Sequence, residues 1–189
     1  MKVPASPAVH RLVVAVLLAS ALPAPVRAAN VAPPSHPKVT RVLIKKKEHV
    51  LRLLASSHGT EEVVASYTVA IGPGGMGPKR KEGDKVTPVG RYHVTSHQPS
   101  QYKVFLRLDY PNDQDFKRFR ESKRAGELDA SAKIGGDIGI HGPPRSVPVP
   151  LRAAMKVSDW TAGCIAVDDD EISEIARQVK DGTPVDIED

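Results

Sequence analysis

The chain has 189 residues, enough for a single domain with a substantial hydrophobic core. Its formal net charge is +5, a modest excess that concentrates in residues 45–47 and 79–81. No aromatic residues interleave with these basic runs, and aromatics make up only 4% of the chain. A surface that binds single-stranded nucleic acid combines basic residues with aromatic residues on which the bases stack. The composition therefore argues against a nucleic-acid-binding protein. Solvated loop charge and mild attraction to an anionic envelope surface remain as interpretations.

The N-terminus has the layout of a secretory signal peptide. Lys2 and Arg11 precede an apolar run over residues 12–22, and small residues follow at Ala28 and Ala29. The run is shorter than the about 20 residues that a spanning helix needs. We therefore predict a signal peptide over residues 1–28, export across the inner membrane to the periplasm or cell envelope, and no stable membrane span after cleavage. A retained membrane anchor is the alternative.

Residues 29–38 contain three prolines without apolar periodicity and are predicted to form an extended leader. The remaining residues, 39–189, are predicted to form one mainly β catalytic domain with a few short helices. Alternating or β-branched runs indicate strands over residues 39–45, 49–54, 63–71, 90–95, 104–109 and 138–141.

Two helices and a closing strand complete the predicted elements. Residues 113–126 are charged and proline-free, which favours an exposed helix lying over the sheet. Asp168 followed by Glu171 resembles a helix-start signature, and apolar residues then recur at helical spacing until Gly182. We predict residues 184–187 as an edge strand, because a proline lacks the donor that a central strand needs.

Three glycines, Gly72, Gly74 and Gly77, match the spacing of a dinucleotide-binding fingerprint. That mechanism requires a helix N-terminus directly behind the glycines, and Pro78 with the charged residues after it offers no helical apolar period. We therefore predict a tight turn instead of a nucleotide site.

The only cysteine is Cys164, and an unpaired cysteine in an exported protein needs an explanation. Burial as a structural residue is one. The alternative is a nucleophile, since a thiolate generated by a neighbouring imidazole attacks carbonyl carbons. His141, at the end of a predicted strand, is the best-placed base. The backbone amides of Gly163 and Cys164 could stabilise the oxyanion formed during acyl transfer.

These residues resemble the L,D-transpeptidase catalytic domain, also called the YkuD domain, over about residues 39–187. The resemblance rests on His141 and Gly142, on the Thr-x-Gly-Cys core from Thr161 to Cys164, and on the segment 83–92, which is similar to the family's TPxGxY loop and strand. It implies a β-sandwich or barrel fold, Cys164 as nucleophile and His141 as base. It also implies that the Gly142 carbonyl orients the histidine, so that no triad carboxylate is required.

Ala162 and Ala166 depart from the commoner version of the motif, in which a histidine precedes the glycine and an arginine or asparagine follows the cysteine. The combination resembles the YafK-type branch, as does the Gly-Pro-Lys segment ending at Lys79. The departures leave the nucleophile and base intact, but they affect substrate roles carried by the missing side chains.

Several other residues are candidates for the site. Trp160 and Asp159 adjoin the motif and His93 follows the family's loop, so we predict substrate-binding roles for them, with Thr161 as an orienting residue. Packing for His93 and a local cap for Asp159 are the alternatives. No pairing of His49, His58 or His97 with Cys164 has zinc-site spacing, and we predict neither a metal nor a cofactor.

The resemblance implies action on peptidoglycan stem peptides through a thioester on Cys164. In the family's usual reaction a tetrapeptide is attacked at the bond before its terminal D-amino acid, and the acyl group passes to a diaminopimelate amine. Some YafK-type relatives are thought to release a murein-linked lipoprotein by hydrolysis. Ala162 and Ala166 fit that branch, so we favour hydrolysis over cross-linking. A non-catalytic peptidoglycan-binding module of the same fold is the alternative function.

Overall fold

The computed structural model describes Met1 and residues 37–57 and 59–189. The predicted signal peptide, residues 29–36 of the leader, and His58 lie outside the described residues, apart from Met1. The elements in chain order are β1 (Val39–Lys45), β2 (Val50–Ser57), β3 (Thr60–Thr68), β4 (Gly90–Ser100), β5 (Lys103–Leu108), α1 (Asp113–Arg124), β6 (Gly139–His141), α2 (Val149–Arg152), a 3-10 turn (Ala153–Val157), β7 (Ile165–Ala166), α3 (Asp169–Gln178) and β8 (Pro184–Glu188).

The strands form one mixed sheet in the order β3-β2-β1-β8-β4-β5-β6-β7. The β1–β8 and β6–β7 pairs are parallel, and the other pairs are antiparallel. The two ends of the sheet also meet, because Ala70 just beyond β3 forms an isolated bridge with Ala166 of β7. Their backbones exchange two hydrogen bonds of 2.9 and 2.8 Å. The sheet thus closes on itself beside β7, and the predicted mainly β fold with a few short helices is confirmed.

The core lies against the inward-facing side chains of the strands. Val42 and Ile44 of β1 and Leu51 and Leu53 of β2 alternate with more exposed neighbours and have no exposed surface. Helix α3 adds a buried stripe that includes Ile172. Complete burial of each such side chain contributes about 1.5–3 kcal/mol, so these residues explain why the elements associate.

Most predicted elements are present within a few residues of their expected bounds. Helix α1 begins with a capping box in which the Asn112 side chain accepts a hydrogen bond from Asp115 N and Asp115 in turn accepts one from Asn112 N. At the start of α3, Asp168 N donates to the Glu171 carboxylate over 2.9 Å, as the sequence signature predicts.

The prediction that the last strand lies at a sheet edge is wrong. Strand β8 is central, parallel to β1 on one side and antiparallel to β4 on the other. Pro184 is tolerated because it is the first residue of the strand, where a missing donor interrupts the ladder least. Three short elements, α2, the 3-10 turn and β7, were not predicted.

The glycine-rich segment after β3 contains no helix over residues 72–89. The helix N-terminus that a dinucleotide-binding fingerprint requires is therefore missing from this segment, as the sequence analysis expected. A β-carbon on Gly72 would lie 1.9 Å from the Lys85 carbonyl oxygen, and one on Gly74 would lie 2.2 Å from that of Asp84. These glycines are therefore required by close approach of two backbone segments. Gly77 has a φ of 84°, as the turn prediction expected.

Across the described ranges, no helix is both long and apolar enough to cross a membrane.

Candidate active site

The turn that carries Cys164 is held by Thr161. Its hydroxyl donates to the Cys164 carbonyl over 2.8 Å and accepts a hydrogen bond from Gly163 N at 3.1 Å. Thr161 N in turn donates to the carbonyl of Ile71, beside the bridge that closes the sheet. Gly163 has a φ of +128°, and a β-carbon there would lie 2.8 Å from the carbonyl oxygen of Val86. The closure of the sheet and the glycine together determine where the thiol lies.

His141 is the last residue of β6 and is only 3% exposed. Its Nδ1 lies 2.6 Å from the carbonyl oxygen of Gly142, which can only accept. Nδ1 must therefore carry the proton, and in the neutral ring Nε2 is left as the basic nitrogen. This is the contact that the family resemblance implies for Gly142. The rings of Tyr102, Phe105 and Trp160 surround the imidazole with centroids 4.3, 5.9 and 5.7 Å away.

Two cavities meet at Cys164. The larger, about 570 Å³, is lined by His141, Trp160 and Arg107 among others, and we call it the histidine-side cavity. The smaller, about 380 Å³, is lined by Lys79 and by Glu82, Gly83, Gly135, Gly136 and Ile138, and we call it the lysine-side cavity. Asp137, Ala162 and Cys164 line both. A substrate whose scissile carbonyl lies at the thiol can therefore extend in two directions.

Burial perturbs the two candidate catalytic groups in opposite directions. It lowers the pKa of His141 below the ordinary value, although the hydrogen bond to Gly142 offsets part of the effect. Burial also raises the pKa of the Cys164 thiol, and the Asp137 carboxylate adds to the rise while Lys79 and Arg107 oppose it. Both shifts favour the uncharged forms. Burial therefore disfavours a preformed thiolate–imidazolium pair in this arrangement.

The thiol is hydrogen-bonded to a backbone carbonyl rather than to the imidazole in this arrangement. Cys164 Sγ lies 3.4 Å from the carbonyl oxygen of Asp137, and none of the hydrogen bonds among the described residues joins it to His141. Asp137 has a φ of 54° and forms an ion pair with Arg107. Catalytic hydrogen bonds are often loose without substrate, so a rotation of the thiol towards the histidine-side cavity remains compatible with base catalysis.

The predicted pair of oxyanion donors needs a correction. Gly163 N is occupied by the Thr161 hydroxyl and is not available to a substrate oxygen. Cys164 N has no hydrogen-bond acceptor among the residues that the structure describes, so it is the available donor at this turn. The sequence alone did not show which of the two amides is free, because it did not show that the Thr161 hydroxyl accepts a hydrogen bond from Gly163 N.

Two of the predicted substrate-binding residues lie outside both cavities. The Asp159 carboxylate accepts a hydrogen bond from Ile71 N at 2.9 Å and lies 3.2 Å from His49 Nε2, so it anchors the turn before Trp160. His93 is exposed on β4 and paired with Asp109 at 3.0 Å. Neither Asp159 nor His93 lines a cavity at Cys164. Trp160 does line the histidine-side cavity.

The described part of the chain contains no group of three or more His, Cys, Asp or Glu side chains arranged to hold a metal ion.

The domain is mainly β and closed, and it presents Cys164 and His141 in one cavity. The sequence model of the L,D-transpeptidase catalytic domain, YkuD, matches residues 39–187. The chain belongs to this family.

Known proteins support the same assignment. The chain is 31% identical over 85 residues to "Putative L,D-transpeptidase YafK" of Escherichia coli (strain K12), a match that covers 43% of this chain and 35% of that protein. The YafK-type resemblance is thereby confirmed. The helical cell shape determining protein Pgp2 of Campylobacter jejuni, solved as its K307A mutant, aligns with a TM-score of 0.59 and 26% identity over 81% of this chain and 48% of that one.

Bd1075 of Bdellovibrio bacteriovorus shares the fold, with a TM-score of 0.53 and 22% identity over 82% of this chain and 49% of that one. The chain thus spans less than half of each of these relatives.

Several residues of the site were not predicted from the sequence. Asp137, Arg107 and Phe105 lie at or near the thiol only because β5 and β6 pair side by side. The burial of Lys79 had one indication, since the Gly-Pro-Lys segment was part of the family resemblance. Nothing in the sequence indicated that its ammonium would line a cavity at Cys164.

Proposed function

We propose that this chain is an exported cysteine enzyme of the L,D-transpeptidase family that acts on peptidoglycan stem peptides. The observation that carries the proposal is the common cavity of Cys164 and His141, in which the Gly142 carbonyl leaves Nε2 as the basic nitrogen. Family membership supports the substrate class. Export rests on the N-terminal sequence pattern alone.

In the first half-reaction, Cys164 Sγ attacks the carbonyl carbon of the bond before the terminal D-amino acid. His141 Nε2 takes the thiol proton, and Cys164 N donates to the oxyanion. The C–N bond then breaks, and the imidazolium gives its proton to the leaving amine. The product is a thioester on Cys164 with His141 neutral again.

In the second half-reaction an amine or a water attacks the thioester, and the two acceptors give different enzymes. An amine yields a cross-link, whereas water yields a stem that ends in a free carboxylate. If the leaving amine belongs to the lysine of a bound lipoprotein, that lipoprotein has already been released in the first half-reaction. Ala162 places a small apolar side chain in the lining of both cavities, where the commoner motif has a polar one, whereas Ala166 is buried in β7 and lines neither cavity. The lining at Ala162 therefore has one polar group fewer to hold an incoming amine, and on this ground we assign hydrolysis to the second half-reaction.

The test incubates the purified mature protein with tetrapeptide muropeptides, and separately with sacculi that carry bound lipoprotein. Mass spectrometry identifies the products. We expect tripeptides or released lipoprotein from the native protein and neither product from Cys164→Ala with unchanged circular dichroism. New cross-linked dimers without hydrolysis products would contradict the hydrolase assignment while retaining the nucleophile.

The rival function is a non-catalytic peptidoglycan-binding module of the same fold. Such a module would sediment with sacculi and yet produce no new muropeptides. Activity that persists in Cys164→Ala would exclude this cysteine as the nucleophile and overturn the proposal.

A further inference from the structure

Lys79 is buried at the nucleophile with most of its hydrogen-bonding capacity unused. Its side chain is 3% exposed, and Nζ donates to the Asp84 carboxylate over 2.6 Å. An ammonium has three donors, and Asp84 is its only hydrogen-bond partner among the described residues. Lys46, which is fully buried, has two oxygen partners, Gly77 O at 3.0 Å and Asp189 at 2.8 Å. Unused buried donors are costly, so Lys79 is prepared for a further acceptor.

The ammonium faces the reaction centre. Gly163 directly precedes Cys164 in the chain, and Lys79 Nζ lies 3.5 Å from the position that a β-carbon on Gly163 would occupy. Lys79 also lines the lysine-side cavity together with the thiol. An acceptor bound there would be part of the same ligand that reaches the nucleophile.

The lysine-side cavity carries a second, opposite charge. Glu82 lines it, is exposed, and has no ion pair or side-chain hydrogen bond among the described residues. Gly83, Gly135 and Gly136 line the cavity without side chains, and Asp137, the other acidic residue of the lining, is already paired with Arg107. A buried cation and a free carboxylate in the lining of one small cavity are complementary to a group that carries both a carboxylate and an ammonium.

The position of His141 determines which part of the substrate enters this cavity. The base must reach the leaving amine and the attacking acceptor, so both lie in the histidine-side cavity. The side chain of the acyl donor residue is then directed to the other side of Cys164. Diaminopimelate has a side chain that ends in an amino-acid centre with both charges, whereas lysine at the same place has only the ammonium.

We propose that the lysine-side cavity holds the charged side-chain end of a diaminopimelate acyl donor, with its carboxylate on Lys79 and its ammonium on Glu82. This inference rests on the proposed function. It makes Lys79 a specificity-determining residue that rejects stems without that carboxylate, because the buried donors would then stay unpaired.

The test measures binding by calorimetry to Cys164→Ala protein, so that no turnover is needed. The ligands are a muramyl tetrapeptide with diaminopimelate, the same peptide with the side-chain carboxylate amidated, and the lysine-containing peptide. We expect amidation or replacement by lysine to weaken binding about tenfold or more. In the Lys79→Met background the three ligands should bind with similar affinity. Lys81→Gln, an exposed neighbour outside the cavity, should preserve the discrimination.

Equal affinity of the three peptides for protein that retains Lys79 would overturn the inference. If Lys79→Met does not fold, that comparison of ligands still decides the role of the carboxylate, and Glu82→Gln tests the ammonium by reducing the affinity for the lysine-containing peptide. Discriminating binding without any product from the native enzyme would refute the proposed function alone. Product formation without discrimination would refute only this inference.

Discussion

At the scale of single residues, the proposed mechanism depends on the neutral forms of Cys164 and His141. Because burial raises the pKa of the thiol and lowers that of the imidazole, the two titrations move apart and widen the pH range in which both are uncharged. A pair that exchanges one proton in each half-reaction needs the base free and the thiol available. The shifts therefore suit general base catalysis.

We predict a bell-shaped pH profile for kcat/KM. Its acidic limb should lie below pH 6.5, since the pKa of His141 is lowered from that ordinary value, and its alkaline limb should lie above pH 9.0, since the thiol pKa is raised from there. The rate of alkylation by iodoacetamide should rise only through the alkaline limb. Rapid alkylation at pH about 5 would instead indicate a preformed thiolate–imidazolium pair.

The matched variant for this profile is His141→Gln, which should lose the acidic limb together with about 10²–10⁴-fold in rate. A profile and rate close to those of the native protein would remove His141 from the mechanism.

Residue types explain which parts of the site were predictable. Cysteine, histidine and glycine at motif spacing predict the candidate nucleophile, the candidate base and the carbonyl that orients it, because their chemistry is local. The roles of Gly163 N, Asp159 and Lys79 depend on which partner occupies each donor or acceptor. The Asp159 partners His49 and Ile71 are distant in the sequence. Thr161 and Asp84 lie near Gly163 and Lys79 in the sequence, but only the folded backbone shows that these groups pair.

At the scale of elements, the segment from residue 72 to 86 determines the wall of the lysine-side cavity. Gly74 N donates to the Lys85 carbonyl over 3.0 Å, and Gly72 N donates to the Thr87 hydroxyl over 3.0 Å. The backbone of residues 72–74 is therefore packed against that of residues 85–87, next to Gly163. We predict that Gly72→Ala destabilises the protein by about 3 kcal/mol or more, because its β-carbon would collide with backbone.

Gly136→Ala is the control, since no atom lies within 4 Å of its β-carbon position and its φ is not positive. Urea unfolding measures both variants. Equal, small losses would show that these two backbone segments separate easily.

Asp84 organises the same segment. Its carboxylate accepts hydrogen bonds from Lys79 Nζ and from the backbone N–H groups of Arg80, Lys81 and Val86 over 2.6 to 3.0 Å. Burial alone would raise the pKa of Asp84, but these hydrogen bonds hold it below 3.8 overall. A lowered folded-state pKa gives stability that is complete above the unfolded value and is lost as pH falls through the folded one.

We predict that Asp84→Asn costs about 1–3 kcal/mol at neutral pH, because buried donors lose a charged acceptor. The difference from the native protein should shrink as the pH falls below 3.8, where native Asp84 also becomes protonated. Urea unfolding over a pH series measures it, with the exposed Glu62→Gln as control. A difference that is constant with pH would contradict the role of the charge.

Strand and helix prediction succeeded where periodicity and caps are local. Val39–Lys45 is a β-branched and aliphatic run that was predicted to the residue, and Asp168 with Glu171 starts α3 as the sequence signature predicts. Strand β7 has two residues, too few for any period, and exists because Ala166 pairs with Ala70 and β6. Its presence follows from tertiary pairing.

At the scale of the whole molecule, β8 joins the two parts of the sheet. Val185 and Ile187 pair with Val42 and Ile44 of β1 on one side, and Tyr92 and Gly90 of β4 lie on the other. The sequence order of strands does not reveal this, because β8 is last in the chain and lies between β1 and β4, which come much earlier in the sequence. Pro184 does lack the backbone N–H donor, as the prediction assumed, but the edge position inferred from this was wrong.

The central position of β8 leads to a prediction about stability. Ile187 is 1% exposed, belongs to the hydrophobic core, and lies in the strand that pairs with β1 and β4, so Ile187→Ala removes core contacts and should cost about 2–5 kcal/mol. Val63→Ala on the outermost strand β3 is the matched control, because Val63 is 54% exposed and should lose less than about 0.5 kcal/mol. Urea unfolding gives both values. Had β8 been an edge strand with a solvated face, the two losses would be similar. Because the thiol, the base and the lysine-side cavity all rely on strands that β8 holds together, Ile187→Ala should also lose activity at a lower temperature than the native protein.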